Sequence, residues 1–231
     1  MIYSMRMTSN ITAPFLLLAL TAIAADSTLP NESLRYSVNW PTGVSLGEAQ
    51  LTASSSPQHM HFQFNLDAGA PAFTVSDRYS ADASGSFCAS EFHKSISHGS
   101  KKASEQETFD SKTGAVTRGT GSGQTEMSSG ACGKDALTFL YFLRQELSQG
   151  RLPSQETVYF GAPYEVRLSS AGTESVKIGG VAVDADRITA SVSGPSSRIS
   201  VELLFLKDRA RTLALVKVPL ELGTFSMELV K

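Results

Sequence analysis

The chain has 231 residues, 41% of them hydrophobic and 18% charged, with a formal net charge of -2. That apolar share excludes a disordered chain. The near-neutral charge, with Lys101-Lys102 as its longest basic run, excludes the cationic field that a nucleic-acid surface needs.

Residues 1–24 read as an export signal. Arg6 supplies the positive n-region, Ala13-Pro14-Phe15-Leu16-Leu17-Leu18-Ala19-Leu20 the apolar stretch, and Ala22-Ile23-Ala24 the small-x-small cleavage site. The apolar run is about a dozen residues, short of the ~20 that a spanning helix requires. Cleavage after Ala24 leaves residues 25–231 as a single β-rich domain of roughly two hundred residues, enough for a sizeable core. No second apolar run in it is long enough to span a membrane as a helix.

The mature chain opens on alternation: Leu34, Tyr36, Val38 and Trp40 share one face of a half-buried strand. Pro41-Thr42-Gly43 turns the chain, and Gly47 to Thr52 returns as a hairpin. Met60, Phe62, Phe64 and Leu66 alternate next, followed by extended segments around Phe73-Val75-Tyr79 and Phe87–Ile96. From Ser97 to Gly133 the composition turns to Gly, Ser, Thr, Lys and Glu. Phe109 to Val116 still reads as strand, turn, strand, whereas Gly119-Thr120-Gly121-Ser122-Gly123 reads as a flexible loop that cannot pack a core.

One segment breaks the rhythm. Asp135 to Leu147 is too long and too continuously apolar for a half-exposed strand, and reads as a buried helix. Asp135 suits its first turn, and Gly150 with Pro153 beyond suits its stop. Burial of such a helix requires Arg144 to meet a carboxylate or emerge at an edge. Strands then resume at Val158–Phe160, Tyr164–Leu168, Ser175–Ile178 and Val181–Ser193, with Ile199, Val201, Leu203 and Phe205 alternating after them. Lys207 to Arg211 forms a charged hairpin tip, and Phe225, Met227 and Leu229 close the chain on one strand face. The fold class is therefore mainly β: a curved antiparallel sheet or partial barrel, a meander of roughly a dozen strands, with one buried helix near residues 135–148.

Cys88 and Cys132 are the two cysteines. In an oxidising compartment they are expected to pair; the competing reading is a reactive thiol at Cys132, just ahead of the helix N-terminus. His59 and His61 lie on one strand face and could ligate a metal, but no further ligands follow at suitable spacing, so no metal site is expected. Gly-x-Gly-x-Gly at 119–123 lacks the strand and helix of a phosphate-binding turn, and Gly133-Lys134-Asp135 lacks the hydroxyl residue of a P-loop. Asp77, Asp82, Glu91, Glu105 and Glu107 offer carboxylates, yet no nucleophile elbow, zincin motif or Cys-x-x-Cys accompanies them. Neither catalytic residues nor a cofactor is expected.

Four motifs in order resemble the bacterial exported family called domain of unknown function 3108. They are Glu32-x-Leu34-x-Tyr36-x-Val38-x-Trp40 with Gly47, Asp135 to Arg144 with Gly150, Asp208-Arg209-Ala210-Arg211-Thr212, and Leu222 to Leu229. The chain departs from the family pattern where Leu213, not proline, follows Thr212. The resemblance implies a periplasmic β-rich domain of a Gram-negative-type bacterium and carries over no catalytic residue.

The function expected is a non-catalytic binding module for a lipid or other apolar ligand, because a strongly curved sheet leaves a concave apolar face. Tyr36, Trp40, Phe62, Phe64, Tyr141 and Phe160 are the candidate lining. The alternatives are an envelope structural or assembly factor that contacts a partner protein by edge-strand pairing, and a hydrolase.

Overall fold

The computed structural model describes residues 31–56, 58–70, 73–195 and 197–230; the expected export signal lies outside them. The first arm of the meander is β1 (Glu32–Asn39), β2 (Ser45–Ser55), β3 (His59–Ala70), β4 (Phe73–Ser84), β5 (Ala89–His98), β6 (Lys101–Asp110), β7 (Ala115–Thr120) and β8 (Gly123–Ser128). A two-residue strand, β9 (Lys134–Asp135), leads into helix α1 (Ala136–Ser148). The second arm is β10 (Gln155–Tyr159), β11 (Pro163–Ile178), β12 (Val181–Ser193), β13 (Arg198–Leu206), β14 (Leu213–Leu220) and β15 (Gly223–Val230). Antiparallel pairing of β1 with β15, Tyr36 opposite Leu229, fuses the arms into one 15-stranded sheet that runs from β8 through β1 and β15 to β9.

Fifteen strands exceed the dozen expected, and the excess arises partly in the glycine-rich stretch. Gly119 to Gly123 is not a loop but the tip of the β7–β8 hairpin, with Gly119 opposite Gln124 and Thr120 opposite Gly123. Ladder hydrogen bonds suffice to hold such a pair. Only Val116 and Met127 anchor the pair to the core, and β8 is almost wholly exposed.

The sheet rolls into an open spiral rather than a closed barrel. Its β9–β10 end tucks against the inner face of β5 and β6 without joining their ladder. Ala89 donates its N–H to the Gly133 carbonyl at 2.9 Å, Phe109 meets Tyr159 edge-on at 5.7 Å, and Cys88 is disulfide-bonded to Cys132. The Tyr159 hydroxyl reaches past β7 to the Ser128 carbonyl at 2.5 Å. The bond uses both cysteines, so neither is a free thiol.

Helix α1 plugs the roll. Asp135 caps it, accepting from the N–H groups of Leu137 at 2.8 Å and Thr138 at 3.0 Å. Tyr141 stacks flat on Phe62 of β3, ring centroids 4.2 Å apart. One turn on, Arg144 has no exposed surface. Its guanidinium forks onto Glu32 at the start of β1, with Nη2 at 3.0 Å from Oε2. Its Nε donates to the carbonyls of Ala210 at 3.2 Å and Arg211 at 3.1 Å, in the β13–β14 turn. The latter carbonyl is aimed inward because Arg211 adopts φ 48°, a conformation held by Asp208, which accepts from Thr212 N–H at 2.9 Å and hydroxyl at 2.6 Å. Leu213, where proline was expected, is buried and its carbonyl takes the Tyr36 hydroxyl at 3.0 Å.

A second, smaller core lies outside the roll. The long β11–β12 hairpin bends at the register shift between Ser170 and Thr173 and packs Val176 and Ala185 against Leu204 and Ala214. This explains why β13 is apolar on both faces.

Removal of Arg144 as Arg144→Ala leaves Glu32 without its counter-charge, and chemical denaturation should register a loss of roughly 3–5 kcal/mol. Replacement of both cysteines by serine reopens the loop between residues 88 and 132, a separation of 44. It should cost about 4 kcal/mol in the chain-entropy account, read as the difference between oxidised and variant protein in the same denaturation experiment.

Candidate functional site: an apolar cavity between helix and second arm

Two neighbouring features of the roll invite a functional reading: a cavity and a group of buried carboxyls. The first half of α1 does not touch β11–β13 all along its length, and the gap is a cavity of about 460 Å3. The cause is local: Ala136 presents only a methyl group, and Val158, Ala190, Val192 and Val201 opposite are short. Phe139 and Leu140 form the helix side, Val166 and Leu203 the floor, and Phe160, Tyr164 and Ser197 the end nearest the β10–β11 and β12–β13 turns. Among the described residues no charged side chain lines it. Its volume falls within the ~300–1,000 Å3 usual for small-molecule sites. The lower half of the roll is closed by the Arg144–Glu32 plug, so the cavity opens toward those turns.

Phe160 divides the cavity from the carboxyl group. It packs on Tyr79 at 5.3 Å and Phe92 at 5.7 Å, and the Lys94 ammonium sits 4.3 Å from its ring centroid. Lys94 also pairs with Glu105, which Arg118 holds from the other side with Nε at 3.0 Å. Burial alone would raise the Glu105 carboxyl; the two cations more than offset it and hold it below the usual carboxylate range. The adjacent inward carboxyl, Glu107, is fully buried and has no cation of its own. One oxygen accepts the Gly161 N–H at 2.8 Å, and the other has no hydrogen-bond partner among the described residues. Burial pushes Glu107 up to about 7, with the charges of Glu105 and Asp135 adding to the rise. Asp135 is itself raised by burial to about 6. Gly161 has no substitute here: its φ is 76°, and a Cβ would lie 2.7 Å from Glu105 Oε1.

The six aromatic candidates divide sharply. Phe160 lines the cavity. Tyr36, Phe62 and Tyr141 have no exposed surface and belong to the core around the plug. Phe64 stacks on Tyr79 at 5.7 Å, and Trp40 meets Phe225 edge-on at 4.9 Å; neither lines this cavity. The reason is that the helix fills the half of the roll made by β1–β4. Alternation identifies inward-facing residues but not what they face, and the small residues Ala136, Ala190 and Val192, which create the space, carry no signal of their own. His59 and His61 lie on the outer face, both within 3.1 Å of Asp82. Among the described residues no three His, Cys, Asp or Glu side chains are placed to share a metal ion.

The unsatisfied Glu107 carboxyl predicts a pH dependence of stability. A folded-state value near 7 lies above the ordinary 4.5, so the fold favours the protonated form. That stabilisation is complete below the ordinary value and is lost as pH rises to about 7. Glu107→Gln should therefore stabilise the protein more at pH 8 than at pH 4, by on the order of 1 kcal/mol per pH unit across that window. Denaturation of both proteins at the two pH values measures it.

Comparison with known proteins supports the architecture. A crystal structure described as a beta-barrel-like protein of domain of unknown function DUF1849 from Brucella abortus superposes with a TM-score of 0.63 over 88% of this chain and 97% of that one, at 9% sequence identity. At that identity the likeness is one of fold. No curated protein matches the chain. The sequence profile of the family described as "Protein of unknown function (DUF3108)" matches residues 35–230, from within β1 to the end of β15. Because that match covers almost the entire described length, the chain belongs to the DUF3108 family.

Proposed function

We propose that this protein is a non-catalytic carrier or sensor for an apolar ligand such as a lipid acyl chain, held in the cavity between α1 and β10–β13. The observation that carries this reading is the cavity of about 460 Å3 lined by short aliphatic and aromatic side chains without a charge. Apolar surface of that kind favours a hydrocarbon, at ~0.8 kcal/mol per buried methylene. Export fits the same picture. The disulfide suits an oxidising compartment, and among the described residues no helix is long and apolar enough to cross a membrane. On this reading residues 1–24 are a cleaved signal and the protein works in the periplasm.

A rival reading, an envelope assembly factor, draws on a different observation. β8 ends the sheet with its outer edge unpaired in the ladder, and such an edge can accept a partner strand. It predicts a co-purifying protein rather than a small molecule.

Native mass spectrometry of the protein purified from its own envelope, before and after mild organic extraction, separates the two. The carrier reading expects an extractable lipid-sized mass. It also expects that mass to be lost in Ala190→Trp, whose indole fills the cavity from β12. A bare protein in both preparations would remove the carrier reading.

A further inference from the structure

Large apolar side chains are not scattered over this surface. Of the six substantially exposed among the described residues, Val44, Phe73, Leu220 and Leu222 lie at one end of the roll, and Val181 and Val230 at the other. The first four belong to the β1–β2 turn, the start of β4, and the β14–β15 turn, so they border the contiguous arc β4–β3–β2–β1–β15–β14. Exposure is high, 63% at Val44 and 71% at Leu222. This is the end at which β10 meets β11 and β12 meets β13, where Phe160, Tyr164 and Ser197 rim the cavity. The apolar arc thus faces the cavity mouth across the opening of the roll.

The arc is built rather than accidental. Trp40 packs edge-on to Phe225 at 4.9 Å, and the Pro41 ring lies so close to Gly223 that a Cβ there would sit 2.8 Å from it. These contacts join the two turns that carry Val44 and Leu222 into one face. Phe73 lies over Gly99 on the next turn, directly before the exposed Lys101 and Lys102. Arg198, also exposed, opens β13 on the far side. Glu221 lies between the two leucines, and the exposed carboxylates of the strands behind, Glu48 and Asp67, are paired with Arg35 and Arg78.

We propose that this end of the roll is a membrane-docking face: Val44, Phe73, Leu220 and Leu222, with Trp40 behind them, enter the interfacial layer of a lipid bilayer. Lys101, Lys102 and Arg198 then face anionic headgroups. Exposed aliphatic side chains beside a tryptophan and flanking cations are what an interfacial site requires. A bilayer, unlike a folded partner, also holds the chemical class that the neighbouring cavity suits. An acyl chain could pass from one to the other without crossing water, and that second step rests on the carrier reading. The docking face itself does not.

Trp40 is the single tryptophan of the chain, so its fluorescence reports on the face directly. The purified protein is mixed with vesicles of phosphatidylethanolamine and phosphatidylglycerol containing phosphatidylcholine brominated along its acyl chains. The expected result is a blue shift and quenching of Trp40. The double variant Leu220→Ser/Leu222→Ser should partition to the vesicles at least about tenfold more weakly, with an unchanged thermal midpoint because both side chains are exposed. Val181→Ser, at the other end, should leave partition unaltered. An unresponsive Trp40 at saturating vesicle concentration overturns the proposal, as does equal weakening by Val181→Ser. A vesicle-independent dimer dispersed by the leucine variant, with Trp40 unresponsive, would assign the face to a second copy of this chain instead. Binding of the fluorescent fatty acid cis-parinaric acid without vesicles tests the cavity separately. Its absence beside intact docking would sink the carrier reading and leave the docking face standing.

Discussion

The contact on which the roll depends is the buried guanidinium of Arg144. It joins three parts of the chain that are far apart in sequence: Glu32 at the start of β1, the last turn but one of α1, and the carbonyls of Ala210 and Arg211 in the β13–β14 turn. Each partner is itself fixed. Tyr141 donates to Glu32 at 3.0 Å, and Asp208 shapes the turn that presents the carbonyls. A charge without solvent is tolerated only where its hydrogen-bonding capacity is met. This geometry meets it with one carboxylate and two carbonyls, and in doing so sets the depth and rotation of the helix inside the sheet.

From that anchor the asymmetry of the interior follows. With its second half tied to β1 and the β13–β14 turn, α1 leans its aromatic side on β3 and β4, where Tyr141 lies on Phe62. The first half, capped by Asp135 and tethered beside the disulfide, stands off from β11–β13 and leaves the cavity. The cavity opens at the end of the roll that carries the apolar turns, whereas the disulfide, in the β4–β5 turn, lies at the Glu32 end. One end of the roll is therefore a sealed polar hub and the other an open apolar mouth. Side-chain size, more than strand order, separates them.

Much of the first layer was legible in the residues. Alternation at Leu34–Trp40 and Met60–Leu66 marked strands and their inward faces, since period-two burial writes directly into composition. The continuous apolar run after Asp135 marked the helix, and its cation, expected either to meet a carboxylate or to emerge at an edge, meets Glu32. The family motifs acquire physical content here. Gly47 is obligatory because a Cβ would sit 2.0 Å from the Asp67 carbonyl, and the Asp208–Thr212 segment is the turn that receives Arg144. The start of β7 at Val116 reads as a strand, but its continuation through Gly119–Gly123 into β8 was not legible, because beyond Val116 and Met127 these strands carry no apolar period.

The sequence by itself determined the β-rich class, the position of the helix, and which residues turn inward, because these depend on local period and polarity. Tertiary structure alone decided that the sheet overlaps as a spiral instead of closing, and that Tyr36, Phe62 and Tyr141 serve the plug while Phe160 serves the cavity. It also decided that Glu107 is left half-satisfied beneath Gly161. Each of these turns on how far apart two surfaces stand once a long-range contact is made. Distance between segments more than a hundred residues apart, as Glu32 and Arg144 are, is a property of the packed chain and of no local pattern within it.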